Sequence, residues 1–413
     1  MITQQTEDTE KAGQSFQRKE GKVMVLDGNK AASYGVLLSR VQVIAAYPIT
    51  PQTPMVETLS QFVADGSLQA DSVEVESEHS ALSVLHGASL AGARTFTATA
   101  GQGLALMYEP YIRTPTIRLP IVIALVTRDG ISPQCIWGGQ QDAVNVRDTG
   151  WIQFFVENNQ EILDTMIQAY KVAEHPDVLL PVNVCYDGFY LSHMAEPVEI
   201  PPQELVDQYL PPYRPTHQIL DPDNPMAIDP LTPNELFMEY RYKHMMALQK
   251  SKEVIAQASQ EFADLFGRDY FGMIEKYRMD DAEFAILAMG SPVGTARVAV
   301  DRARDEGKKV GLIKLRVLRP FPRELLVEAM KGIKAIGVLD KNVSFGWGTG
   351  VVYTEVRAAM RDMKNPPTPV GFVDGLGGSD ITLEHFARAI STIENAAKGL
   401  PYEEITWLGL EEE

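Results

Sequence analysis

The nine residues Leu119–Thr127, LPIVIALVT, hold no charge and are dominated by branched aliphatic side chains. Polar and apolar positions do not alternate, so neither face of an extended run can meet water. Such a segment fits a strand inside a parallel sheet that is covered on both sides. The rest of the chain repeats the theme. RTFTATA (Arg94–Ala100) and VLLPVNVCYDG (Val178–Gly188) read as further strands, with EILDTMIQAYKVAEH (Glu161–His175) a helix before the second. Met55, Leu59 and Val63 recur at four-residue spacing, and Gly66 can stop that helix. Strands and helices in alternation predict an α/β chain built on a parallel sheet.

A second unit of this kind begins near Asp281 with AEFAILAMGSPVGTARVAV and closes on the helical TLEHFARAISTIENAAKG. The 413 residues suit two such domains. Residues 1–28 read as a loose polar arm, with regular structure setting in from about Val41. Residues 29–232 form the first domain, and its proline-rich end, 195–232, reads as a linker. Residues 233–413 supply a helical connector, to about residue 276, and the second domain.

The net charge of −18 argues against a nucleic acid as main partner. Two cysteines, Cys135 and Cys185, make no CxxC pair, so no disulfide framework or thiolate metal site is expected. The N-terminus has no apolar core of a secretory signal, and no apolar run is long enough to span a membrane. A reducing cytoplasm is the expected setting.

Chemistry should gather where strands end. Gly101-Gln102-Gly103 stands between a strand and a helix, as either a tight turn or a ligand-contacting loop. It lacks the GxGxxG spacing and the Walker lysine. Ser291, in AMGSPVGTA, reads as a helix cap. Asp187 and Asp340 read as strand-end turn formers. Arg128–Asp148 is a long polar loop after the most apolar strand, a common place for a site, and an arginine there can hold a carboxylate. Cys135 reads as a packing residue. Glu74, Glu76 and Glu78 precede a small-residue helix, and spacing does not choose among them. His79, His86 and His193 share no metal-binding spacing and read as structural.

Several segments together resemble the alpha subunit of the 2-oxoacid:ferredoxin oxidoreductases, with pyruvate:ferredoxin oxidoreductase the nearest general type. They are AAYPITPQTPMVE, VESEHSALSVLHGASLAGARTFTATAGQGLALMYE, RDTGWIQFF, AMGSPVGTARVAV, RVLRPFP and GLGGSDIT. They span about Ala45 to Thr382. The resemblance implies a first domain like the pyrimidine-binding half of a thiamine diphosphate site and a second like the C-terminal domain of transketolase. The cofactor would lie between this chain and a beta subunit. That partner would carry Mg2+ and the diphosphate, and [4Fe-4S] clusters on partner subunits, with gamma and ferredoxin-like subunits among them, would take the electrons.

Residue by residue, the resemblance makes Glu78 the partner of the aminopyrimidine ring, Thr50 a neighbour of the substrate carboxylate and Arg128 its anchor. Pro48, Ile49, Gln102 and Gly103 would line the cofactor. No metal ligand is expected on this chain. Relatives act on pyruvate, branched 2-oxoacids, 2-oxoglutarate, oxalate and phenylglyoxylate, commonly with coenzyme A. IWGGQQD (Ile136–Asp142) departs from the IWGDHSD form of many pyruvate-acting relatives, which implies a changed substrate loop. Arg113, Arg118 and Arg147 are candidate cations for a second carboxylate, and Trp137 a candidate wall for an aryl group. Two rival readings stay open: a thiamine enzyme that passes no electrons to ferredoxin, and a non-catalytic structural subunit.

Overall fold

The structure, a computed structural model, describes residues 21–130 and 132–410. Its first half runs β1 (Lys22–Asp27), α1 (Gly28–Leu38), β2 (Val43–Ala46), α2 (Thr53–Ala64), β3 (Asp71–Glu74), α3 (Glu78–Leu90) and β4 (Thr95–Thr99). It continues with α4 (Gly101–Leu106), α5 (Tyr108–Thr116), β5 (Val122–Thr127), α6 (Gln141–Asn145), β6 (Ile152–Phe155) and α7 (Asn159–Ala173). Then come β7 (Val182–Asp187), β8 (Ala195–Ile200), α8 (Gln203–Tyr209) and the long α9 (Asn234–Phe266). The second half comprises β9 (Ile274–Tyr277), β10 (Phe284–Ala288), α10 (Pro292–Asp305), β11 (Val310–Leu315), β12 (Val317–Arg319) and α11 (Arg323–Ala329). It ends with β13 (Ala335–Asp340), α12 (Val351–Met360), β14 (Thr368–Val373), α13 (Leu383–Ala397) and β15 (Ile405–Trp407).

The first sheet has the order β12-β6-β7-β5-β4-β2-β3, and every pair in it is parallel except β12 with β6. β5 lies at its centre with all six residues buried, as its composition requires. The second sheet, β15-β14-β13-β10-β11-β9, is parallel apart from β9. The two halves are interleaved. β12 belongs to the second half by sequence yet forms the edge of the first sheet, with Val317 opposite Phe154. The latter part of α9 buries Val254, Ile255, Ala258, Phe262 and Phe266 in the core of the first half.

Two boundaries differ from the sequence reading. Residues 22–27, inside the supposed arm, form β1, which pairs antiparallel with β8, and Gly28 already opens α1. The strand escapes local reading because its partner lies about 170 residues away. Residues 1–20 fall outside the described residues. The supposed linker also starts with structure. β8 takes Pro197 because it is half of a two-stranded ribbon with a free edge, and α8 buries Val206 and Tyr209. The stretch without regular elements runs from about residue 210 to 233.

A buried ionic cluster locks the halves together. Arg316, wholly buried, donates through Nε to Glu161 at 2.8 Å and through Nη2 to Thr165 at 2.9 Å. Lys314 reaches both Glu161 at 2.7 Å and Glu157 at 2.8 Å. Burial works to raise the Glu161 carboxyl pKa, and the Lys314 and Arg316 charges overcome it, leaving the carboxyl below its ordinary value.

Candidate active site

The parallel strands β2, β3, β4 and β5 end on one edge of the first sheet, and the segments leaving them carry the predicted residues. After β3 the chain turns at Ser77, which caps α3 by accepting from the Ser80 amide at 3.2 Å. Glu78 is therefore the first helical residue, and its side chain is only 4% exposed. No other described side chain bonds its carboxylate. Burial raises its pKa above the ordinary glutamate value. Glu74 and Glu76, by contrast, point to solvent, and Glu76 accepts from the Ser80 hydroxyl.

The Glu78 carboxylate lies against the glycine loop at the start of α4. A Cβ on Gly103 would stand 2.5 Å from Glu78 Oε1 and would also collide with Thr99 Oγ1. Only glycine leaves room for both oxygens. Thr99 Oγ1 is itself buried without a hydrogen-bond partner. Gly103→Ala must push the carboxylate aside, so it is expected to keep the fold and, on the resemblance to thiamine diphosphate-binding chains, to weaken binding of that cofactor by 10-fold or more, roughly the effect of ~1–3 kcal/mol of overpacking. Titration calorimetry on the assembled complex reads this directly, and unchanged affinity would count against the contact.

Arg128 leaves the end of β5 with 2% exposure. Its Nη1 donates to the Thr50 carbonyl at 2.9 Å, and Nε and Nη2 both donate to the Cys135 carbonyl, at 3.2 and 3.0 Å. These bonds leave N–H donors of the guanidinium uncommitted, and among the described residues no carboxylate side chain bonds to it. Burial lowers its pKa. Gly101, with φ of +43°, lies flat beside it, and a Cβ there would come 3.0 Å from Nε. The glycine loop thus has Glu78 on one side and Arg128 on the other.

Thr50 sits on the loop after β2. Gln52 pins that loop by donating from its amide to Ile49 O at 2.8 Å and from Nε2 to Tyr47 O at 2.8 Å. Asn29 Nδ2 donates to Pro51 O at 2.9 Å. Pro48 and Thr50 are exposed and Ile49 is half-buried. Gln102 is half-buried on the first turn of α4. The side chains of Thr50 and Gln102 make no hydrogen bond to another described residue, so both remain available to a ligand. Glu78, Gly103, Arg128 and Thr50 come together around one loop. Pro48, Ile49 and Gln102 stand on its flanks.

Sequence reasoning gave a lesser role to several neighbours. Asp187 is no simple turn former: it accepts from Lys341 Nζ at 2.9 Å and from the Ser291 hydroxyl. Ser291 therefore spends its hydroxyl across the interface and does not cap α10. Asp340 is buried and receives the amides of Val352 and Tyr353, both at 2.9 Å, at the start of α12; burial pushes its pKa up to about 7. Asp129, beside Arg128, accepts from the Gly377 amide in the second half, and burial pushes its pKa up to about 6.

The substituted loop packs between Asp129 and the second half. A Cβ at Gly139 would strike Asp129. Gln140 donates from its amide to Lys341 O at 3.1 Å and from Nε2 to Met289 O at 3.0 Å. Gln141 accepts from the Val343 amide at 2.8 Å. These residues dock the loop on the second half.

The buried, unpartnered Glu78 carboxylate beside Gly103 and the orphaned Thr99 hydroxyl fit the aminopyrimidine side of thiamine diphosphate. Residues 34–260 match the family model described as pyruvate flavodoxin/ferredoxin oxidoreductase, thiamine diphosphate-binding, and residues 282–386 match pyruvate:ferredoxin oxidoreductase core domain II. The NADH-dependent phenylglyoxylate dehydrogenase subunit alpha of Aromatoleum evansii is 46% identical over 401 residues, covering 95% of this chain and 96% of its own. The pyruvate synthase subunit PorA of Methanothermobacter thermautotrophicus is 46% identical over 389 residues, covering 94% and 98%. A solved 2-oxoglutarate:ferredoxin oxidoreductase from Magnetococcus marinus shares the fold with a TM-score of 0.72 at 21% identity, covering 90% of this chain and 65% of that one. A split-gene transketolase shares it more distantly, with a TM-score of 0.51 at 15% identity. With relatives this similar along nearly the whole length, the chain belongs to the alpha subunits of the 2-oxoacid:ferredoxin oxidoreductase family.

Proposed function

We infer that this chain supplies the pyrimidine side of the site in a thiamine diphosphate-dependent oxidoreductase that decarboxylates a 2-oxo monocarboxylic acid of the pyruvate type. Arg128 carries the reading: a guanidinium taken out of water without a carboxylate partner is costly unless an anion joins it. Its free N–H groups and the neighbouring Thr50 suit the carboxylate of a 2-oxoacid. Glu78 would hold the aminopyrimidine ring and keep a proton at its raised-pKa carboxyl. Thiamine diphosphate, when bound, supplies the electron sink for loss of carbon dioxide.

The proposed balance is simple. The substrate carboxyl leaves as carbon dioxide, and coenzyme A takes the acyl carbon as a thioester. Two electrons pass to iron–sulfur clusters of partner subunits and one proton is released. A beta subunit would complete the cofactor site with the diphosphate and Mg2+. Leu106, Tyr108 and Ile112 on α4 and α5 are exposed just beyond Gly103, an apolar surface suited to that partner.

A dicarboxylic substrate is disfavoured by where the other arginines go. Arg113 pairs with Asp229 at 2.5 Å, Arg118 donates to the carbonyls of Val178 and Leu179, and Arg147 pairs with Glu355 at 3.1 Å. Each is committed to structure. Trp137 packs on Phe189 with ring centroids 4.4 Å apart and remains half exposed.

Arg128→Ala is expected to raise the KM for the 2-oxoacid by about 100-fold, with a smaller change in cofactor affinity, as for loss of a charge-assisted pair of hydrogen bonds. Unchanged kinetics would remove Arg128 from the substrate site. The identity of the substrate is read from the native complex and a low-potential acceptor, with pyruvate, 2-oxoisovalerate, 2-oxoglutarate and phenylglyoxylate, each with and without coenzyme A. Pyruvate should be preferred, with coenzyme A required. Preference for phenylglyoxylate would move the reading to the aryl-acting relatives.

A further inference from the structure

Between the two sides of the site lies a carboxylate whose hydrogen bonds all come from backbone amides. Asp142, on α6, is 7% exposed. Its Oδ2 accepts the Gly101 amide at 2.9 Å and the Arg128 amide at 3.0 Å. Its Oδ1 accepts the Ala143 amide at 2.7 Å, and its own amide lies 3.4 Å from the Arg128 carbonyl. One oxygen therefore joins the first residue of the glycine loop to the first residue after β5. β4 and β5 pair directly as far as Thr99 and Leu125; beyond that pairing Gly101 packs on the Arg128 side chain. The acceptor is itself well supported: Gln153 Nε2 donates to Ala143 O at 2.9 Å, tying α6 to β6.

The arrangement is specific to a carboxylate. Two backbone N–H groups converge on one oxygen, and a third N–H takes the other. A neutral amide can serve two of these donors but must turn its NH2 toward the third. A small apolar residue would leave three buried donors unpaired.

We propose that Asp142 is a positioning residue that fixes Arg128 against the glycine loop, so that the group holding the substrate carboxylate and the loop receiving the cofactor keep one register. The proposal rests on the reading of Arg128 as the carboxylate holder. Asp142 acts through Arg128, and it binds nothing itself. A shift of about 1 Å in such a group costs up to about 100-fold in a preorganised site. It should therefore control the KM for the 2-oxoacid more than the rate at saturation.

The test is a double-mutant cycle on the assembled complex, with Asp142→Ala, Asp142→Asn, Arg128→Lys and both double variants. Asp142→Ala is expected to raise the 2-oxoacid KM about 10-fold, and Asp142→Asn, which can still offer an oxygen to both amides, about 3-fold, with kcat changed less than KM in each. In the Arg128→Lys background both increments should vanish to within about 2-fold, because the group they position is already lost. Increments that multiply in the double variants, or a wild-type KM in Asp142→Ala, would overturn the proposal. If Asp142→Ala does not assemble, the Asn cycle decides by the same criterion. A wild-type KM in Arg128→Lys would overturn both this proposal and the reading beneath it. A high KM there with multiplying Asp142 effects would overturn the positioning role alone.

Discussion

Glu78→Gln leaves the complex assembled and lowers kcat by roughly 10²–10⁴-fold, the range for loss of a positioned proton donor or acceptor. The substitution keeps shape and volume, so the contacts with Gly103 and α3 survive. It removes the one buried carboxyl in reach of the glycine loop that has no partner among the described residues. The sign of the stability change separates this from simple damage. Burial raises the Glu78 pKa, so the folded state disfavours its anion. An acid raised in this way costs stability as pH rises above its unfolded value toward neutrality. A neutral glutamine removes that cost, so thermal unfolding of the variant should come at or above the wild-type temperature. NMR of hydrogen–deuterium exchange at C2 of bound thiamine diphosphate is the direct assay. Wild-type exchange in Glu78→Gln would sink the assignment.

Arg316→Ala should instead destabilise the chain by about 3–5 kcal/mol, because it strands one member of a buried ionic cluster. The guanidinium satisfies Glu161, Gly272 O, Thr165 and Gln168, and it lies over the rings of Phe154 and Tyr270 at 5.0 and 5.1 Å. Removal loses these bonds and the packing together. Lys314 still faces Glu161, which limits the electrostatic part. Chemical denaturation measures the loss, and a change under about 1 kcal/mol would show that the cluster stabilises little beyond its packing. The pH response has a definite sign. Glu161 is held below its ordinary pKa, so its contribution is present above the unfolded value and is lost as pH falls through the folded one. The Arg316→Ala protein should therefore lose less stability than wild type on acidification.

The strand–helix alternation was legible because burial on both faces leaves an unmistakable composition. Leu119–Thr127 became the central strand, and Met55 and Leu59 became the buried face of α2. What failed was anything set by distant partners. Val23 and Val25 are exposed while Leu26 is buried, an alternation in β1 visible in retrospect but uninformative without β8. Pro197 disguised β8 as linker. At the site, the long loop after β5 drew attention to Arg128 on physical grounds. Glu78 was singled out from Glu74 and Glu76 by resemblance, and burial of its side chain alone now separates them. Asp142 was beyond reach, since its partners are backbone amides, and amides leave no mark in a sequence. The altered IWGGQQD loop shows the same limit: composition reveals lost charge but not the direction in which the replacements point.

The interleaving of β12 sets the order of events during synthesis. Six strands of the first sheet are complete once Asp187 has emerged, yet β6 keeps an open edge until Arg319 follows. Through that interval the nascent chain presents hydrogen-bonding groups flanked by Phe154 and Phe155, an invitation to pair with another chain. The first sheet therefore cannot be completed before residues of the second half have been made, unlike a sheet closed by its own domain's residues. Loop closure across more than 160 residues separates collapse from completion.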